Sequence, residues 1–468
     1  MLKREISEKL ISWKNQKKKK ALCIIGARQI GKTTIIREFA KEQYEHFVEI
    51  NFILDKGAEK IFEGKLDANT IIENLTAFKM QKLEPGKTLI FLDEIQECPN
   101  ARCAIKFLVE DQRYRYILSG SLLGVEIVNL KSAPVGYLKT LQMYPLDFEE
   151  FLQLFQISDA VFEALRGAYQ NETPVDPIIH KKMLQLFHLY LIIGGMPAAV
   201  DTYRRTENID MVMDQHLAIL QQYKLDFTQY ETENKKLLLT SIYELIPAEK
   251  TDPRSALDNP LFPSELNEQN KRFKLANIDK KLRFEKMSDS FTWLWKTGVA
   301  LPVFNVTEPK MPLLLNQKST LFKLFLSDVG MLTTIYGKSV KLKIINQEKD
   351  INKGAIYENV AAQELIAHGC RCYYYNNKKQ GELDFVVEHD GAVLPIEIKS
   401  GKDYKKHSAL VQVLQNENYH LTRAIVFSNS NVEREGKVTY LPIYMLMFLK
   451  ESDVNFTDIS IDKFKLTI

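Results

Sequence analysis

The residues best suited to chemistry form the segment Gly26-Ala27-Arg28-Gln29-Ile30-Gly31-Lys32-Thr33, which directly follows an apolar run. A buried strand that breaks at a glycine and continues as a helix aims several backbone N–H groups at one position, which favours phosphate binding. Lys32 would then reach the β- and γ-phosphates of a nucleotide, and the Thr33 hydroxyl would ligate Mg²⁺. An ordinary turn is the alternative. The residues predicted to bind the nucleotide are Gly26, Ala27, Arg28, Gln29, Ile30, Gly31, Lys32, Thr33 and Thr34.

Two adjacent carboxylates, Asp93 and Glu94, end a second apolar run that begins at Thr88. Such a run predicts a central parallel strand that delivers both acids to the carboxyl edge of a sheet, where ligands of open α/β sheets bind. Asp93 is predicted to hold the water shell of Mg²⁺, and Glu94 to orient and polarise the attacking water. Acids that only cap a following helix are the alternative. A pair of acids favours hydrolysis of the nucleotide over binding alone.

A further strand is predicted over residues 115–118, and it leads into Ser119-Gly120-Ser121. The terminal hydroxyls would face the γ-phosphate, so that Ser119 or Ser121 could sense it, and a plain turn is the alternative. The predicted catalytic residues are therefore Lys32, Glu94, Ser119 and Ser121.

A second group of chemically capable residues lies near the C-terminus. Two strands, one around Asp384 and one over residues 393–399, would bring Asp384, Glu397 and Lys399 together, with Glu358 contributed by a helix. Converging carboxylates beside a lysine suit metal-assisted phosphodiester hydrolysis, with the three acids as Mg²⁺ ligands and the lysine positioning water. A salt bridge across one strand face is the alternative for the Glu-x-Lys pair. A binding module without cleavage is also open.

The periodicity of apolar residues places further elements around these groups. Residues 2–14 predict an amphipathic helix and residues 47–52 another strand, while residues 155–245 show mainly helical patterns. The polar stretch 251–270, which contains three prolines, predicts a linker. Short helical segments followed by two strands, over residues 271–345, are typical of a winged helix, which would contact either DNA or protein.

Composition limits the class of protein. A chain of 468 residues is too long for a single core, so three or four domains are expected. With 63 Lys and Arg against 60 Asp and Glu, the net charge of +3 neither requires nor excludes a nucleic-acid partner. The first residues lack the apolar core of a signal peptide, and no apolar run approaches the length of a membrane span. Five cysteines without zinc-ligand spacing predict reduced thiols and a cytoplasmic location.

Several motifs together resemble a large prokaryotic family of AAA-type ATPases that carry a C-terminal domain of unknown function. The motifs are Gly26-Ala27-Arg28-Gln29 with Gly31-Lys32-Thr33, Asp93-Glu94-Ile95-Gln96, Leu118-Ser119-Gly120-Ser121, Tyr144-Pro145-Leu146-Asp147-Phe148-Glu149-Glu150-Phe151, Gly194-Gly195-Met196-Pro197 and Tyr223-Lys224-Leu225-Asp226. The resemblance continues through residues 323–332, 353–358 and 394–400, so it covers nearly the whole chain. The order of Glu358, Asp384 and the Glu397-x-Lys399 pair also resembles the PD-(D/E)XK nuclease fold.

This resemblance implies an α/β fold in which a P-loop NTPase parallel sheet is joined to a helical lid, a winged-helix-like middle region and a C-terminal α/β domain of PD-(D/E)XK nuclease-like fold. The implied boundaries are 1–154 for the P-loop AAA-type ATPase core, 155–250 for the lid, 271–345 for the middle region and 346–468 for the C-terminal domain. ATP and Mg²⁺ are the implied cofactors.

The chain departs from the family pattern at one position. Many relatives have Gly-Arg where this sequence has Gly136-Tyr137. An arginine that acts on the γ-phosphate therefore has to come from elsewhere. The candidates, which the sequence does not rank, are Arg102, Arg113, Arg204 and Arg205.

Three functions stay open at this point. The first is a Mg²⁺-dependent ATPase of AAA type that acts on or with DNA. The second is a nucleotide-gated switch that binds a protein partner, and the third is a metal-dependent nuclease regulated by ATP. The Asp93-Glu94 pair favours the first over the second, and the C-terminal acids keep the third open. No membrane partner is expected, and both a monomer and a homo-oligomer are compatible with the sequence.

Overall fold

The structure is a computed structural model that describes residues 3–120, 136–230, 239–244, 246, 284–348 and 351–451. Ser121 and the predicted linker 251–270 lie outside the described residues. The described residues form helices around two sheets, one with five strands and one with eight.

The first sheet is parallel throughout, in the strand order β2-β3-β4-β1-β5. Its strands are β1 Ala21–Ile25, β2 His46–Asn51, β3 Thr88–Asp93, β4 Arg115–Ser119 and β5 Leu138–Gln142. Every residue of β3 is buried, as is typical of a strand at the centre of a parallel sheet that is covered on both faces. The predicted α/β fold with a parallel sheet is confirmed.

Four helices flank this sheet: α1 Glu5–Lys14, α2 Lys32–Gln43, α3 Ala68–Lys79 and α4 Pro99–Glu110. Successive residues of β1 face opposite layers, because Leu22 joins a core cluster with α1 and α2, whereas Cys23 joins a cluster with α3 and α4. The loop after β1 passes directly into α2, whose N-cap residue is Gly31. The carboxyl ends of β1 and β3 therefore lie on the edge of the sheet where α2 begins.

The helical patterns that follow the first sheet correspond to the helices α5 Phe148–Leu152, α6 Asp159–Asn171, α7 Pro177–Ile193, α8 Pro197–Thr206 and α9 Ile209–Tyr230. Both α7 and α8 begin with proline, which suits the first helical position because its missing N–H would have no partner there. Between them, a Cβ on Gly195 would overlap the Leu146 carbonyl, so close packing requires glycine at this turn. No single described helix is long and apolar enough to cross a membrane; only the pair α7 and α8, bent by 117°, meets the criteria of length and composition.

The second sheet is mixed, in the order β12-β13-β11-β10-β9-β8-β6-β7. Its strands are β6 Ala300–Val306, β7 Gln317–Leu326, β8 Tyr373–Asn377, β9 Gly381–His389, β10 Ala392–Ile398, β11 Ala424–Ser428, β12 Glu433–Glu435 and β13 Val438–Pro442. The helices of this half are α10 Phe284–Lys296, α11 Val329–Ile335, α12 Lys338–Ile345, α13 Gly354–Ala367 and α14 Ser408–Gln415.

The two strands predicted as the wing of a winged helix belong to this second sheet. β6 and β7 pair with each other in antiparallel fashion, as a wing requires, but β6 also pairs in parallel with β8. Val306 of β6 packs with Tyr373 and Tyr375 of β8 in one core cluster. The described part of the predicted region 271–345 is therefore continuous with the C-terminal sheet and does not form a separate two-stranded unit.

The two halves of the chain share a core. One cluster of buried residues includes members of α1, α2, α7 and α13. The carboxylate of Glu364, on α13, accepts hydrogen bonds from the Phe148 backbone N–H at 3.1 and 3.2 Å and from the Tyr190 hydroxyl at 3.0 Å. Burial raises the pKa of Glu364 to about 8. The C-terminal half is thus joined to the segment after β5 by buried polar contacts.

Candidate functional site

The loop between β1 and α2 has the backbone conformation of an anion cradle. Gly26 and Gly31 have φ angles of +140° and +92°, which glycine adopts without the steric cost of a side chain. A Cβ on Gly26 would overlap the Met143 carbonyl, from the segment after β5. Because α2 begins at Lys32, the N–H groups of its first turn have no acceptor within the helix. These donors and the helix dipole favour a phosphate at this end of α2.

The Lys32 side chain packs against the backbone of this loop. Its buried ammonium donates hydrogen bonds to the carbonyls of Gly26 and Ala27, at 2.9 and 2.7 Å. Burial lowers the pKa of Lys32 to about 8, and the negative charges of Glu94 and Asp93 oppose that shift. A phosphate close to the ammonium would favour its charged form in the same way. The predicted lysine therefore lies within the cradle that it would help to neutralise.

Asp93 is the centre of a hydrogen-bond network at the carboxyl edge of the sheet. The Thr33 hydroxyl and the Asn51 amide donate to Oδ2 at 3.2 and 3.1 Å, and the Ser119 hydroxyl donates to Oδ1. Burial raises the pKa of Asp93, and the hydrogen bond from Ser119 opposes that shift. A hydroxyl and a carboxylate are the hard oxygen ligands that Mg²⁺ prefers, so the Thr33 and Asp93 pair fits this ion.

Two residues of this network were missed from the sequence. Asn51 ends β2, and the register of the sheet places it opposite Asp93. The available signal was a polar residue near the end of the strand predicted over residues 47–52. Gln96 donates a hydrogen bond from Nε2 to Glu94 Oε2 at 2.5 Å, and its position in the Asp93-Glu94-Ile95-Gln96 motif was noted without a role.

Glu94 follows β3 in a left-handed backbone conformation with φ of +52°. Its side chain forms no capping hydrogen bond with the short 3₁₀ turn that follows, and α4 begins only after Cys98. The alternative that Glu94 only caps a helix is therefore not supported. Gln96 contacts one carboxylate oxygen of Glu94, and a carboxylate has further acceptor positions that can bind a water molecule.

A cavity of about 760 Å³ opens beside the loop. Its wall includes Gly31, Thr34, Ile35 and Glu38, from the end of the loop and the first turns of α2. The other lining residues are Arg4, Leu146, Gln153, Leu154, Gln156, Pro197, Ala198, Val200, Asp201 and Arg204. A cavity of this size is typical of small-molecule sites. The phosphate cradle thus adjoins a space large enough for the rest of a nucleotide.

Arg4, just before α1, contacts both the loop between β1 and α2 and the segment after β5. Its guanidinium pairs with Glu150 at 2.8 Å and donates to the carbonyls of Tyr144 at 2.8 Å and Ile30 at 3.3 Å. The sequence predicted only an amphipathic helix in this region, because none of these partners is close along the chain. Arg4 fixes the backbone of the loop at Ile30.

Arg28, predicted to bind the nucleotide, is held by α9. Its Nε lies 2.9 Å from Asp226 Oδ2, and the Tyr223 hydroxyl donates to the Arg28 carbonyl at 3.0 Å. Both partners belong to the Tyr223-Lys224-Leu225-Asp226 motif, to which the sequence assigned no role. Gly298 also packs on the loop, since a Cβ there would lie 3.1 Å from the Ala27 nitrogen.

The four arginines considered for the γ-phosphate occupy different places. Arg113 precedes β4 and therefore lies at the amino edge of the sheet, opposite the edge that carries the loop. Arg204 and Arg205, on α8, pair with Asp201 at 2.7 and 2.9 Å. Arg102 lies in α4. Of the four, only Arg204 lines the cavity.

The C-terminal cluster is assembled in part. Asp384 of β9 accepts a hydrogen bond from the Ile398 N–H at 2.9 Å, and Lys399 donates to Glu397 at 2.9 Å. Burial raises the pKa of Glu397 to about 8, and the negative charge of Asp384 adds to that shift. The structure therefore brings Asp384, Glu397 and Lys399 together.

Glu358 of α13 instead lies beside a lysine that the sequence analysis missed. Lys323 of β7, which is buried, lies 2.7 Å from Glu382 and 3.7 Å from Glu358. Within the described ranges, no group of three or more His, Cys, Asp or Glu side chains is placed to hold a metal ion. The described residues therefore do not bring the three predicted Mg²⁺ ligands Glu358, Asp384 and Glu397 into one metal-binding group, and a Mg²⁺ site formed by them stays a prediction. The reason is that β7, through its place in the second sheet, brings an ammonium group to this position.

Three family models match different parts of the chain. Residues 18–152 match an AAA domain. Residues 184–342 and 353–446 match two domains of unknown function, DUF8612 and DUF4143. The first sheet and its loop therefore form an AAA-type P-loop ATPase domain, as the sequence predicted.

Three solved structures are similar over much of their length. The Walker-type ATPase PABY2304 of Pyrococcus abyssi is 13% identical, with 72% of this chain and 96% of that chain covered and a TM-score of 0.39. The Aeropyrum pernix ORC1 protein in complex with DNA is 12% identical, with 74% and 91% covered and a TM-score of 0.26. A RuvB variant of Thermotoga maritima is 16% identical, with 67% and 89% covered and a TM-score of 0.25. At these TM-scores the similarities carry no inference about this chain. A comparison with curated proteins finds no match.

Proposed function

We propose that this protein binds ATP with Mg²⁺ at residues 26–34 and in the adjoining cavity, and that it hydrolyses the ATP. The observation that carries the proposal is the convergence of Lys32, Thr33, Asp93 and Glu94 at one edge of the parallel sheet. The match of residues 18–152 to an AAA domain supports it.

The loop supplies the groups that a triphosphate needs. The backbone N–H groups at the start of α2 and the Lys32 ammonium would neutralise the phosphates. The Thr33 hydroxyl and Asp93 would hold Mg²⁺, which when bound screens the negative charge of the phosphates. Asn51 and Ser119 keep Asp93 in position through hydrogen bonds.

Glu94 is the residue proposed to activate water. Its carboxylate accepts a hydrogen bond from Gln96, and its negative charge acts on the Lys32 ammonium in the phosphate cradle. In this position it would orient a water molecule towards the γ-phosphorus and accept a proton from it. Ser119 contributes by holding Asp93, and we assign it a positioning role.

The experiment that tests this function measures ATP turnover by the purified full-length chain with and without Mg²⁺. Parallel reactions contain branched, double-stranded or single-stranded DNA. We expect Mg²⁺-dependent turnover, and stimulation by any of the DNAs would identify DNA as the partner. Turnover that no DNA changes would favour a protein partner. ATP binding without any turnover would contradict the ATPase and favour the nucleotide-gated switch.

A further inference from the structure

The phosphate-binding loop carries a guanidinium group as well as an ammonium group. Arg28 follows Ala27, whose carbonyl accepts a hydrogen bond from the Lys32 ammonium at 2.7 Å. The Arg28 side chain is 26% exposed, so it lies at the rim of the site and not in the core. Burial lowers the pKa of Lys32, and the positive charge of Arg28 adds to that shift. The same loop therefore carries two cations.

In this structure the Arg28 guanidinium is bound to a carboxylate outside the loop. Its Nε lies 2.9 Å from Asp226 Oδ2 on α9, and the Asp226 side chain is only 6% exposed. The other carboxylate oxygen accepts a hydrogen bond from Gln222 at 3.1 Å. Burial raises the pKa of Asp226; the positive charge of Arg28 opposes that shift, and the negative charge of Glu94 adds to it. Arg28 thus lies among the charges of Asp226, Glu94 and Lys32.

The backbone at Arg28 is held from two sides. The Tyr223 hydroxyl donates to the Arg28 carbonyl at 3.0 Å, and Gly298 packs so closely that a Cβ would lie 3.1 Å from the Ala27 nitrogen. A change at Arg28 is therefore confined to its side chain, which is long enough to exchange one anion for another without moving the loop.

We propose that Arg28 is a catalytic arginine supplied by the loop itself, and that Asp226 holds it off the phosphates until a γ-phosphate beside Glu94 competes for it. The proposal rests on the proposed hydrolysis of ATP. When water attacks the γ-phosphorus, the bond to the β–γ bridging oxygen breaks and its electron pair leaves with ADP. Glu94 accepts the proton of the water and passes it to solvent, and inorganic phosphate is released. The Arg28 guanidinium stabilises the negative charge that develops on the γ-phosphoryl and bridging oxygens.

Among the arginine candidates from the sequence, Arg204 lines the cavity, but none of them belongs to the loop between β1 and α2. Arg113 lies at the opposite edge of the sheet, and Arg204 and Arg205 both pair with Asp201 on their own helix. Arg28 belongs to the phosphate-binding loop itself. When Arg28 leaves Asp226, α9 loses its ion pair with the loop. Binding of a γ-phosphate would therefore change the contact between the loop and α9.

The test compares binding of ADP with binding of ADP plus aluminium fluoride, a probe that mimics the γ-phosphoryl group in the transition state. The full-length protein is used, with Mg²⁺ present. Arg28→Gln should bind ADP within about threefold of the wild type, while its affinity for the probe and its turnover should fall at least about 100-fold. Asp226→Asn should raise turnover severalfold in the wild-type background and change nothing in the Arg28→Gln background. Arg205→Ala, which also removes an arginine paired with an aspartate at 2.9 Å, should leave all three quantities unchanged.

The ADP measurement also reports whether each variant is folded. If Arg28→Gln fails to fold, Arg28→Lys keeps the charge without the planar fork and should lose at least about tenfold in probe affinity. Equal losses for ADP and for the probe would make Arg28 part of the cradle and overturn the proposal. If the wild-type protein hydrolyses ATP and Arg28→Gln is equally active, only the inference about Arg28 is contradicted. Wild-type protein without turnover or probe binding would contradict the ATPase itself, and this inference with it.

Discussion

The nucleotide site and the C-terminal cluster use the same residue types in opposite ways. In the nucleotide site, Lys32 donates to two backbone carbonyls, and Asp93 accepts hydrogen bonds from neutral hydroxyl and amide groups. In the C-terminal cluster, Lys323 lies 2.7 Å and Lys399 lies 2.9 Å from a carboxylate oxygen. In the nucleotide site, Lys32 and Asp93 therefore bind neutral groups. In the C-terminal cluster, Lys323 and Lys399 bind carboxylates.

This difference decides whether a site can take up an ion from outside. Neutral partners leave the charges of Lys32 and Asp93 available to an external anion and cation. In the C-terminal cluster Lys323 and Lys399 each pair with a carboxylate of the protein, so an incoming metal ion would compete with these ammonium groups for the acids. Both regions contain lysines and acids, so the pattern of their partners distinguishes a binding site from an internal ion-pair cluster.

The largest expected effect separates the two kinds of lysine. Lys32→Ala should lower ATP affinity and turnover by at least about a thousandfold, because the ammonium is the main side-chain cation on the β- and γ-phosphates. Lys399→Ala should leave both quantities within about twofold of the wild type, since independent sites do not couple. Calorimetry and a coupled turnover assay measure the two quantities. ATP turnover at the wild-type rate by a clean preparation of Lys32→Ala would contradict the distinction between the nucleotide site and the C-terminal cluster.

The second prediction concerns the internal charge of the C-terminal cluster. Lys323→Met should lower the free energy of unfolding by about 3 kcal/mol, because it leaves the carboxylates of Glu358 and Glu382 without their buried ammonium. Lys338→Met is the matched control: this lysine pairs with Asp210 at 2.6 Å, but both side chains are more than half exposed, so little change is expected. Urea denaturation compares the two variants. A stable Lys323→Met protein that gains Mn²⁺ binding would show that the lysine had only replaced a metal ion.

The third prediction sharpens the role of the acids in the nucleotide site. Glu94→Gln should retain ATP binding and lose about 100-fold in turnover, because the amide no longer accepts a proton from water. Asp93→Asn should instead weaken the dependence of binding on Mg²⁺. Equilibrium binding and single-turnover kinetics distinguish the two variants. Normal hydrolysis by Glu94→Gln would mean that Glu94 has no part in the chemistry, and the switch would gain support.

The parts of the molecule that the sequence predicted are encoded by neighbouring residues. An apolar run, a glycine, a lysine and a threonine within one short segment predict a strand, a phosphate cradle and a helix. These three elements are consecutive in the chain, so a local pattern is enough to predict them. The Asp93-Glu94 pair is predictable for the same reason, since the strand before it defines where its side chains emerge.

The parts that the sequence did not predict depend on contacts between distant segments. Arg4 reaches Ile30 and Glu150, and Asp226 reaches Arg28, across separations that no local pattern records. The strands β6 and β7 were predicted as a pair. The alternation of apolar and polar residues along them does not specify that β6 also pairs with β8. Lys323 was missed for this reason, because its position beside Glu358 follows from that sheet.

The last prediction concerns the pH dependence of the C-terminal cluster. Burial raises the pKa of Glu397 to about 8 in the folded chain, whereas a glutamate in the unfolded chain titrates near about 4.3. Between these values the folded state binds more protons than the unfolded state. The stabilising contribution of Glu397 is therefore complete below the lower value and is lost as the pH rises through the upper one.

Glu397→Gln mimics the protonated carboxyl and should remove this dependence. Relative to the variant, the wild-type free energy of unfolding should fall as the pH rises from about 5 to about 9, by up to about 1.4 kcal/mol for each pH unit below the folded pKa. Glu364, whose pKa burial also raises to about 8, is present in both proteins, so the difference between their curves isolates Glu397. Urea denaturation across the pH range provides both curves. Parallel curves would mean that Lys399 keeps Glu397 ionised throughout. The negative charge of the cluster would then persist in the folded protein, and the C-terminal site would resemble the nucleotide site more closely than its ion pairs indicate.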